Sequence, residues 1–289
     1  LIVALGAARD MRDALQWAKH FTGMDDLKAQ GVSQEELDRR RKDERLRRAR
    51  QERKDAKDLK AKRGRAFHIW RELPRDLTDT LGAVYLKARG IDRNIFPTPC
   101  RAVKFDPQCY YSPTKTKHPA LVSLVSGPLG QAYAIHRIYL CDDGTNKMAV
   151  PDGENPRMVW PDYRGGVIRL NKGSGNLTPE VASQKVREGE PRHCRPLVLC
   201  EGVEDGLSVK LACPNLRIWA AVSLSNLGNV PMMSCISEFI ICADNDWGKP
   251  QAVKGLNTAI EKLQAHGVPV KIARAHIGKD VNDVLRAGE

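Results

Sequence analysis

Hydrophobic patterning is clearest in the last third of the chain. Leu197–Cys200 is an unbroken apolar run after Pro196, and it stops abruptly at Glu201. A short run without polar interruption reads as a strand buried on both faces of a parallel sheet. Phe239–Ala243 is a second such run and stops at Asp244, Asn245 and Asp246. Apolar spacing and turn residues around these runs predict strand 197–200, helix 204–213, strand 217–222 and a short helix near 231. Strand 238–243, helix 251–266, strand 268–274 and helix 280–287 complete the order. Strands alternating with helices imply a parallel sheet with right-handed crossovers.

Upstream the pattern changes. Residues 96–175 alternate short apolar runs with turn signals at Phe96-Pro97, Ser126-Gly127-Pro128, Asp142-Asp143-Gly144, Asp152-Gly153 and Arg164-Gly165-Gly166. This spacing predicts a compact antiparallel sheet with few helices. Residues 176–196 are polar and bounded by proline, and read as a connection. Near the start, Met11, Leu15, Ala18 and Phe21 form the apolar face of an amphipathic helix, with Trp17 at its edge. Residues 39–65 hold fifteen Lys or Arg and five acids, without Pro or an apolar stripe. Ser33 with Glu36 makes a capping box ahead of this tract, which is either a solvated helix or a disordered tether.

The expected fold class is therefore α/β: a C-terminal parallel sheet flanked by helices, a smaller α+β basic subdomain before it, and an N-terminal charged helical segment. The boundaries fall at 1–30 for a helical extension, 31–65 for the charged linker, 66–196 for the basic subdomain and 197–289 for the parallel-sheet domain. A length of 289 residues suffices for two domains with cores of their own. The net charge of +12 comes mostly from the 39–65 tract. That tract either grips phosphates without sequence preference or links domains and contacts nothing. Eight cysteines occur with no Cys-x-x-Cys pair. They read as free thiols of a reducing compartment, and the expected location is cytoplasmic. LIVALGAA is too short to span a membrane and lacks a basic leader.

The carboxylates after the apolar runs carry the chemistry. Ligands of open parallel sheets gather beyond the carboxyl ends of the strands. Glu201 leaves one strand, and Asp205 lies four positions on, at the start of a helix. Asp244 and Asp246 point the same way if the segment is extended, while Asn245 points elsewhere. In GKDVNDVL, Asp280 and Asp283 are three apart on a terminal helix. Carboxylates packed this close repel, and a divalent cation is the usual remedy. Mg²⁺ needs only one or two of them beside waters and phosphates, so three acidic corners can hold two ions. Taken singly, Asp205 and Asp283 read first as helix caps, and it is the whole ordered set that points to a metal.

At these motifs the sequence resembles the Toprim domain, the catalytic module of DnaG-type primases, of type IA and type II topoisomerases and of several nucleases. The resemblance implies that Glu201 matches the family's invariant Glu, Asp244 and Asp246 its metal-binding pair, and Asp205 the acid that primase-type members carry four residues on. Lys279-Asp280 with Asp283 is similar to the ending found in phage and plasmid primases. FHIWRELPRDLTDTLGAVYLKARGI (67–91), HPALVSLVSGPLGQAYAIHRIYL and RMVWPDYRGGVIRL resemble the RNA-polymerase region of those primases. MRDALQWAKHFTGM resembles the helix that ends their zinc-binding domain, although no zinc ribbon precedes it here.

The resemblance implies a DNA primase catalytic core that makes short RNA primers on single-stranded DNA from ribonucleoside triphosphates, using Mg²⁺ or Mn²⁺, with zinc confined to a module outside this sequence. Glu201 serves as metal ligand or general base, and the sequence does not separate the two. Arg137, Arg164, Arg169, Lys172, Lys249 and Lys279 are the candidate nucleotide or template contacts, each readable also as an ordinary surface charge. Tyr110, Tyr111 and Trp160 are candidates for base stacking or for partial burial. A replicative helicase is the expected partner protein, and no membrane is involved. The alternatives are a Toprim nuclease with water as nucleophile and a non-catalytic nucleic-acid-binding subunit.

Overall fold

The computed structural model describes residues 9–22, 34–92, 100–246 and 248–288. Ser33 of the expected capping box, the Phe96-Pro97 turn and the apolar stretch 1–8 lie outside the described residues. The chain divides into two compact units, Leu1–Asp58 and Leu59–Glu289. In the first, helix α1 (Met11–Phe21) starts at Asp10, whose side chain accepts from the N–H groups of Arg12 and Asp13. Helix α2 (Gln34–Glu72) begins there too. Its charges from Asp38 to Asp58 are exposed, with ion pairs such as Arg40–Glu36 at 2.7 Å one turn apart.

In the second unit the character of α2 changes, and apolar side chains appear. Ala66 is fully buried, and Trp70 packs against a cluster containing Tyr111, Val122, Ile135 and Tyr139. The helix ends on Lys104, whose buried ammonium donates to the carbonyls of Trp70 (2.8 Å), Arg71 (3.2 Å) and Leu73 (2.7 Å). Three carbonyls left over at a helix terminus are thereby satisfied by one cation. Helix α3 (Leu81–Ala88) follows, with Thr80 as N-cap.

Strands β1 (Val103–Tyr111), β2 (Thr116–Ser126), β3 (Ala132–Tyr139) and β4 (Arg157–Trp160) form the expected antiparallel sheet, in sequence order. The chain then departs from expectation. Strand β5 (Ile168–Lys172) leaves this sheet and pairs antiparallel with the edge of the next one. The region 176–196 is not only a connection: it holds helix α4 (Pro179–Arg187), capped by Thr178 with Pro at its first position. That is a strong start signal which the polar composition masked.

The second sheet contains β5, β6 (Arg195–Cys200), β7 (Arg217–Ala220), β8 (Ile236–Ala243) and β9 (Val270–Arg274), in the order β5-β7-β6-β8-β9. All pairs except β5–β7 are parallel. Its helices are α5 (Val203–Ala212), α6 (Leu224–Leu227), α7 (Pro250–Gln264) and α8 (Val281–Arg286). The short helix expected near 231 is α6, several residues earlier. Pro231 has no N–H to give, whereas Leu227 can turn into the core.

Burial on both faces follows from the period of two along each strand. Val198 and Cys200 of β6, Ile218 and Ala220 of β7 and Cys242 of β8 face one way, onto Val203 and Leu207 of α5 and onto Tyr85, Leu86, Phe105, Leu121 and Ile138. Leu197, Leu199, Trp219, Phe239 and Ile241 face the other way, onto Ala182, Leu227 and Leu256, Ala259 and Leu263 of α7. The first of these cores is shared by both sheets, so the antiparallel sheet and the parallel sheet form one body. None of the described helices is long and apolar enough to cross a membrane.

One charge lies inside the shared boundary. Glu204, in the first turn of α5, is buried, and one carboxylate oxygen meets Lys147 Nζ at 2.8 Å, Arg157 Nη2 at 3.3 Å and the Tyr85 hydroxyl at 3.0 Å. Burial alone would raise its pKa, yet the cations of Arg157 and Lys147 hold it well below the ordinary carboxylate range. Nearby His136 of β3 is also buried, its Nδ1 without a partner, and burial pushes its pKa down from 6.5 to about 4.

Two outcomes are expected. Glu204→Gln leaves Lys147 and Arg157 facing each other without a counter-charge and should cost about 3 kcal/mol in urea unfolding. A loss below about 0.5 kcal/mol would show that the network carries no stability. For His136 the folded pKa lies below the unfolded one, so the unfolded chain takes up the proton first as pH falls. Stability is complete above pH 6.5 and declines towards pH 4, by about 3 kcal/mol for the drop from 6.5 to about 4. The difference in unfolding free energy between wild type and His136→Gln should therefore shrink between pH 7 and pH 4.5, and a pH-independent difference would contradict it.

Candidate functional site

The strand tips put Glu201, Asp205, Asp244, Asp246, Asp280 and Asp283 at the carboxyl edge of the parallel sheet. Cys200 and Cys242 are register partners on the parallel strands β6 and β8, so Glu201 and Asp244 leave the same edge of adjacent strands, with Asp244 one residue further on. Gly202 then turns the chain into α5. A Cβ on Gly202 would stand 2.9 Å from Asp205 Oδ2, so that carboxylate folds back over the turn into space that the glycine leaves open.

Two asparagines bring the third acidic corner in. Asn245 points away from the carboxylates, as the alternation predicts, and its Nδ2 donates to the carbonyls of Ala275 (2.9 Å) and Gly278 (3.0 Å). Its N–H donates to Lys279 O at 2.7 Å. The loop before α8 is thus laced to the end of β8. Asn282 is buried and donates from Nδ2 to Arg89 O (2.8 Å) and Ser208 Oγ (3.0 Å), and its N–H approaches Asp205 Oδ1 at 3.4 Å.

The electrostatics are those of crowded like charges. Burial, then the charges of Asp280, Glu204 and Asp244, pushes the Asp205 carboxyl up to about 7. Burial and the neighbouring Asp244 raise Glu201. Burial, with the charges of Asp283 and Asp244, raises Asp280. Lysines neutralise the rest: Lys279 Nζ lies 2.9 Å from Asp244 Oδ2, and Lys249 Nζ lies 2.9 Å from Asp246 Oδ1. The Lys249 hydrogen bond holds Asp246 below its usual range. Asp280 caps α8 by accepting from Asp283 N at 3.0 Å, and Asp283 accepts from Lys279 N at 2.8 Å, whereas α5 starts at Gly202, so Asp205 is not the helix cap that the sequence allowed.

A cavity of about 80 Å³ opens beside Glu201, Asp244 and Asp246, walled by Leu224, Val253, Leu256 and Arg274. The charged donors here are hard carboxylate oxygens, the set that suits Mg²⁺ or Mn²⁺. Among the described residues no three acidic, His or Cys side chains already converge on a point. Mg²⁺ does not require this, since it keeps waters and takes substrate phosphates as ligands. The residues present therefore fit a divalent cation.

The basic candidates divide. Lys249 and Lys279 stand among the carboxylates, as above. Arg164 is exposed and lines an open polar cavity with Asn229 and Lys262. Lys172 is exposed at the end of β5. Arg137 donates to Tyr110 O at 3.2 Å, and Arg169 is bound by Glu180 and by Gly127 O at 2.9 Å, so both guanidinium groups tie secondary structure together. Tyr111 is fully buried, edge-on to Tyr139, and offers no stacking face, while Trp160 is half-buried and Tyr110 is exposed.

Glu204, Asn245 and Asn282 were not singled out by sequence reasoning. The available signal was the Glu204-Asp205 pair: adjacent helical positions project about 100° apart, so the two carboxylates cannot share one environment.

Residues 60–170 match a domain of unknown function, DUF7146. Residues 196–289 match the model described as the Toprim domain. No curated protein matches the chain. Among solved structures, a DNA primase domain from Pseudomonas aeruginosa is similar at 14% identity, with 78% of this chain and 74% of that one covered and a TM-score of 0.47. The RNA polymerase domain of Mycobacterium tuberculosis primase DnaG in complex with double-stranded DNA is similar at 16% identity, with 79% and 78% covered and a TM-score of 0.43. The E. coli primase catalytic core is similar at 11% identity, with 76% and 74% covered and a TM-score of 0.45. The Glu-Gly turn after β6 and the Asp-x-Asp after β8 both fall inside the family match, and the C-terminal segment 196–289 is a Toprim domain.

Proposed function

We propose that this chain carries the catalytic core of a DNA primase, which makes short RNA primers on single-stranded DNA by metal-dependent nucleotidyl transfer. The observation that carries this reading is the gathering of Glu201, Asp205, Asp244 and Asp280 at one edge of a Toprim sheet, where burial and mutual repulsion raise three of the four carboxyls. The upstream segments that resemble a primase RNA-polymerase region favour primer synthesis over strand cleavage.

Asp244, Asp246 and Glu201 would hold a first Mg²⁺ or Mn²⁺, and Asp205 with Asp280 and Asp283 a second. When bound, such ions supply charge neutralisation for an in-line displacement at phosphorus. The reaction joins a primer 3′-oxygen to the α-phosphorus of a ribonucleoside triphosphate, and pyrophosphate leaves with the electrons of the broken P–O bond. Glu201, with its raised pKa, is suited to take the 3′-hydroxyl proton if it is not fully engaged as a ligand. Lys279 and Lys249 now neutralise Asp244 and Asp246, and triphosphate oxygens would compete for the same ammonium groups. The exposed Arg164 and Lys172 suit phosphates of the template strand, while Arg137 and Arg169 act through the backbone they hold. A replicative helicase is the partner that such an activity would serve.

The test is de novo synthesis on single-stranded DNA with labelled ribonucleotides and Mg²⁺ or Mn²⁺. Short products are expected from the wild type, and Asp244→Asn should lower their rate by roughly 10²-fold or more while DNA affinity stays nearly unchanged. Cleavage of the DNA without synthesis would replace this reading with the nuclease. Equal activity in wild type and Asp244→Asn would remove the carboxylate edge from the chemistry.

A further inference from the structure

The opposite end of the same sheet carries the opposite charge. Strands β6 and β7 begin there at Arg195 and Arg217, and with Arg192, His193 and the Ser174-Gly175 turn they line a cavity of about 90 Å³. Arg217 is only 4% exposed. Its Nη1 donates to Cys235 O at 3.2 Å and lies 3.0 Å from Cys235 Sγ, while its buried Nε has no partner. Arg195 donates from Nε to Arg192 O at 2.8 Å. Among the described residues no carboxylate pairs with Arg195 or Arg217. Glu190 is the acid nearby, and it is shared among Lys185 (2.8 Å), Arg192 (2.6 Å) and His193 (3.2 Å). A guanidinium stays charged at any accessible pH, and burying one without a counter-charge is costly.

The Ser174-Gly175 turn, with Leu177 and Ala182, completes the lining. Gly173 has φ +75°, and a Cβ there would meet Arg217 N at 2.8 Å, so the turn is pressed against the start of β7. Ser174 is fixed by its N–H and its hydroxyl, both donating to Asn215 O, at 2.9 and 3.1 Å. Gly175, at φ +85°, has open space where a side chain would stand. The turn is held in place without covering the cavity.

We infer that this cavity binds one phosphate group, with Arg217 at its base and Arg195 and Arg192 at its mouth. Phosphate offers several strong acceptors to guanidinium forks and supplies the counter-charge that the protein withholds from Arg217 and Arg195. The natural source is either the terminal phosphate of a nucleotide or a diester of a nucleic-acid strand, and the two share this chemistry. The inference stands apart from the primase reading, because it uses none of the carboxylate edge.

The experiment is calorimetric titration of the whole chain with inorganic phosphate at constant ionic strength. Saturable one-to-one binding is expected, with Kd at or below about 1 mM. Arg195→Gln, an exposed position, should weaken it at least tenfold, whereas Arg164→Gln and Asp244→Asn should leave it unchanged. Arg217→Lys should weaken it as well, and should that variant not fold, Arg195→Gln decides alone. Absence of saturable binding by the wild type, or equal binding by Arg195→Gln, would overturn the site. ATP and a short single-stranded oligonucleotide then compete in turn for bound phosphate. Displacement by ATP assigns a terminal phosphate, displacement by the oligonucleotide assigns a strand diester, and displacement by neither overturns the site as one for a nucleotide or strand.

Discussion

Glu204 cannot be buried alone. A carboxylate in a low-dielectric interior survives only with partners, and its partners come from three separate elements: Tyr85 on α3, Lys147 in the segment after β3 and Arg157 at the start of β4. The requirement works in both directions. The antiparallel sheet must present its two cations and a hydroxyl at the first turn of α5, and α5 must therefore start where those groups reach. The position of that turn also fixes its neighbours, because Glu201 lies just before it and Asp205 one residue after. A structural ion-pair network on one side of the turn thus sets the place of the carboxylates on the other.

Around that fixed turn the sheet is electrically polar. Its carboxyl edge gathers acids whose repulsion is relieved by Lys249 and Lys279 and contained by hydrogen bonds from Asn245 and Asn282. Its amino edge gathers Arg192, Arg195 and Arg217 with one shared acid. Neither end is neutral by itself, which is the condition under which a cation at one end and an anion at the other bind most strongly. The apolar strands between them, buried on both faces, hold the two ends apart.

The parallel sheet was legible because its strands are unbroken apolar runs that end in carboxylates, and those two signals survive without knowledge of contacts. Glu201, Asp244 and Asp246 follow from the same runs, and their gathering at one edge follows from strand direction. The rest depended on long-range pairing. Arg169 looks like a surface phosphate ligand until Glu180 is folded against it, and Glu180 belongs to a helix whose polar sequence hid its Thr-Pro start. Strand β5 reads like the strands before it, and only its partner β7 shows that it belongs to the other sheet. Glu204 reads as one more helix-start acid, and its role appears only once Lys147 and Arg157, some fifty residues upstream, are in contact.

The central claim is that the carboxylate edge is a divalent-cation site, and direct titration with Mn²⁺ followed by electron paramagnetic resonance tests it without relying on any assay of synthesis. The wild type should remove free Mn²⁺ from solution in a saturable manner, with most of that capacity lost in Asp244→Asn and Glu201→Gln and retained in Arg195→Gln. Equal Mn²⁺ binding by the wild type and both carboxylate variants would contradict it.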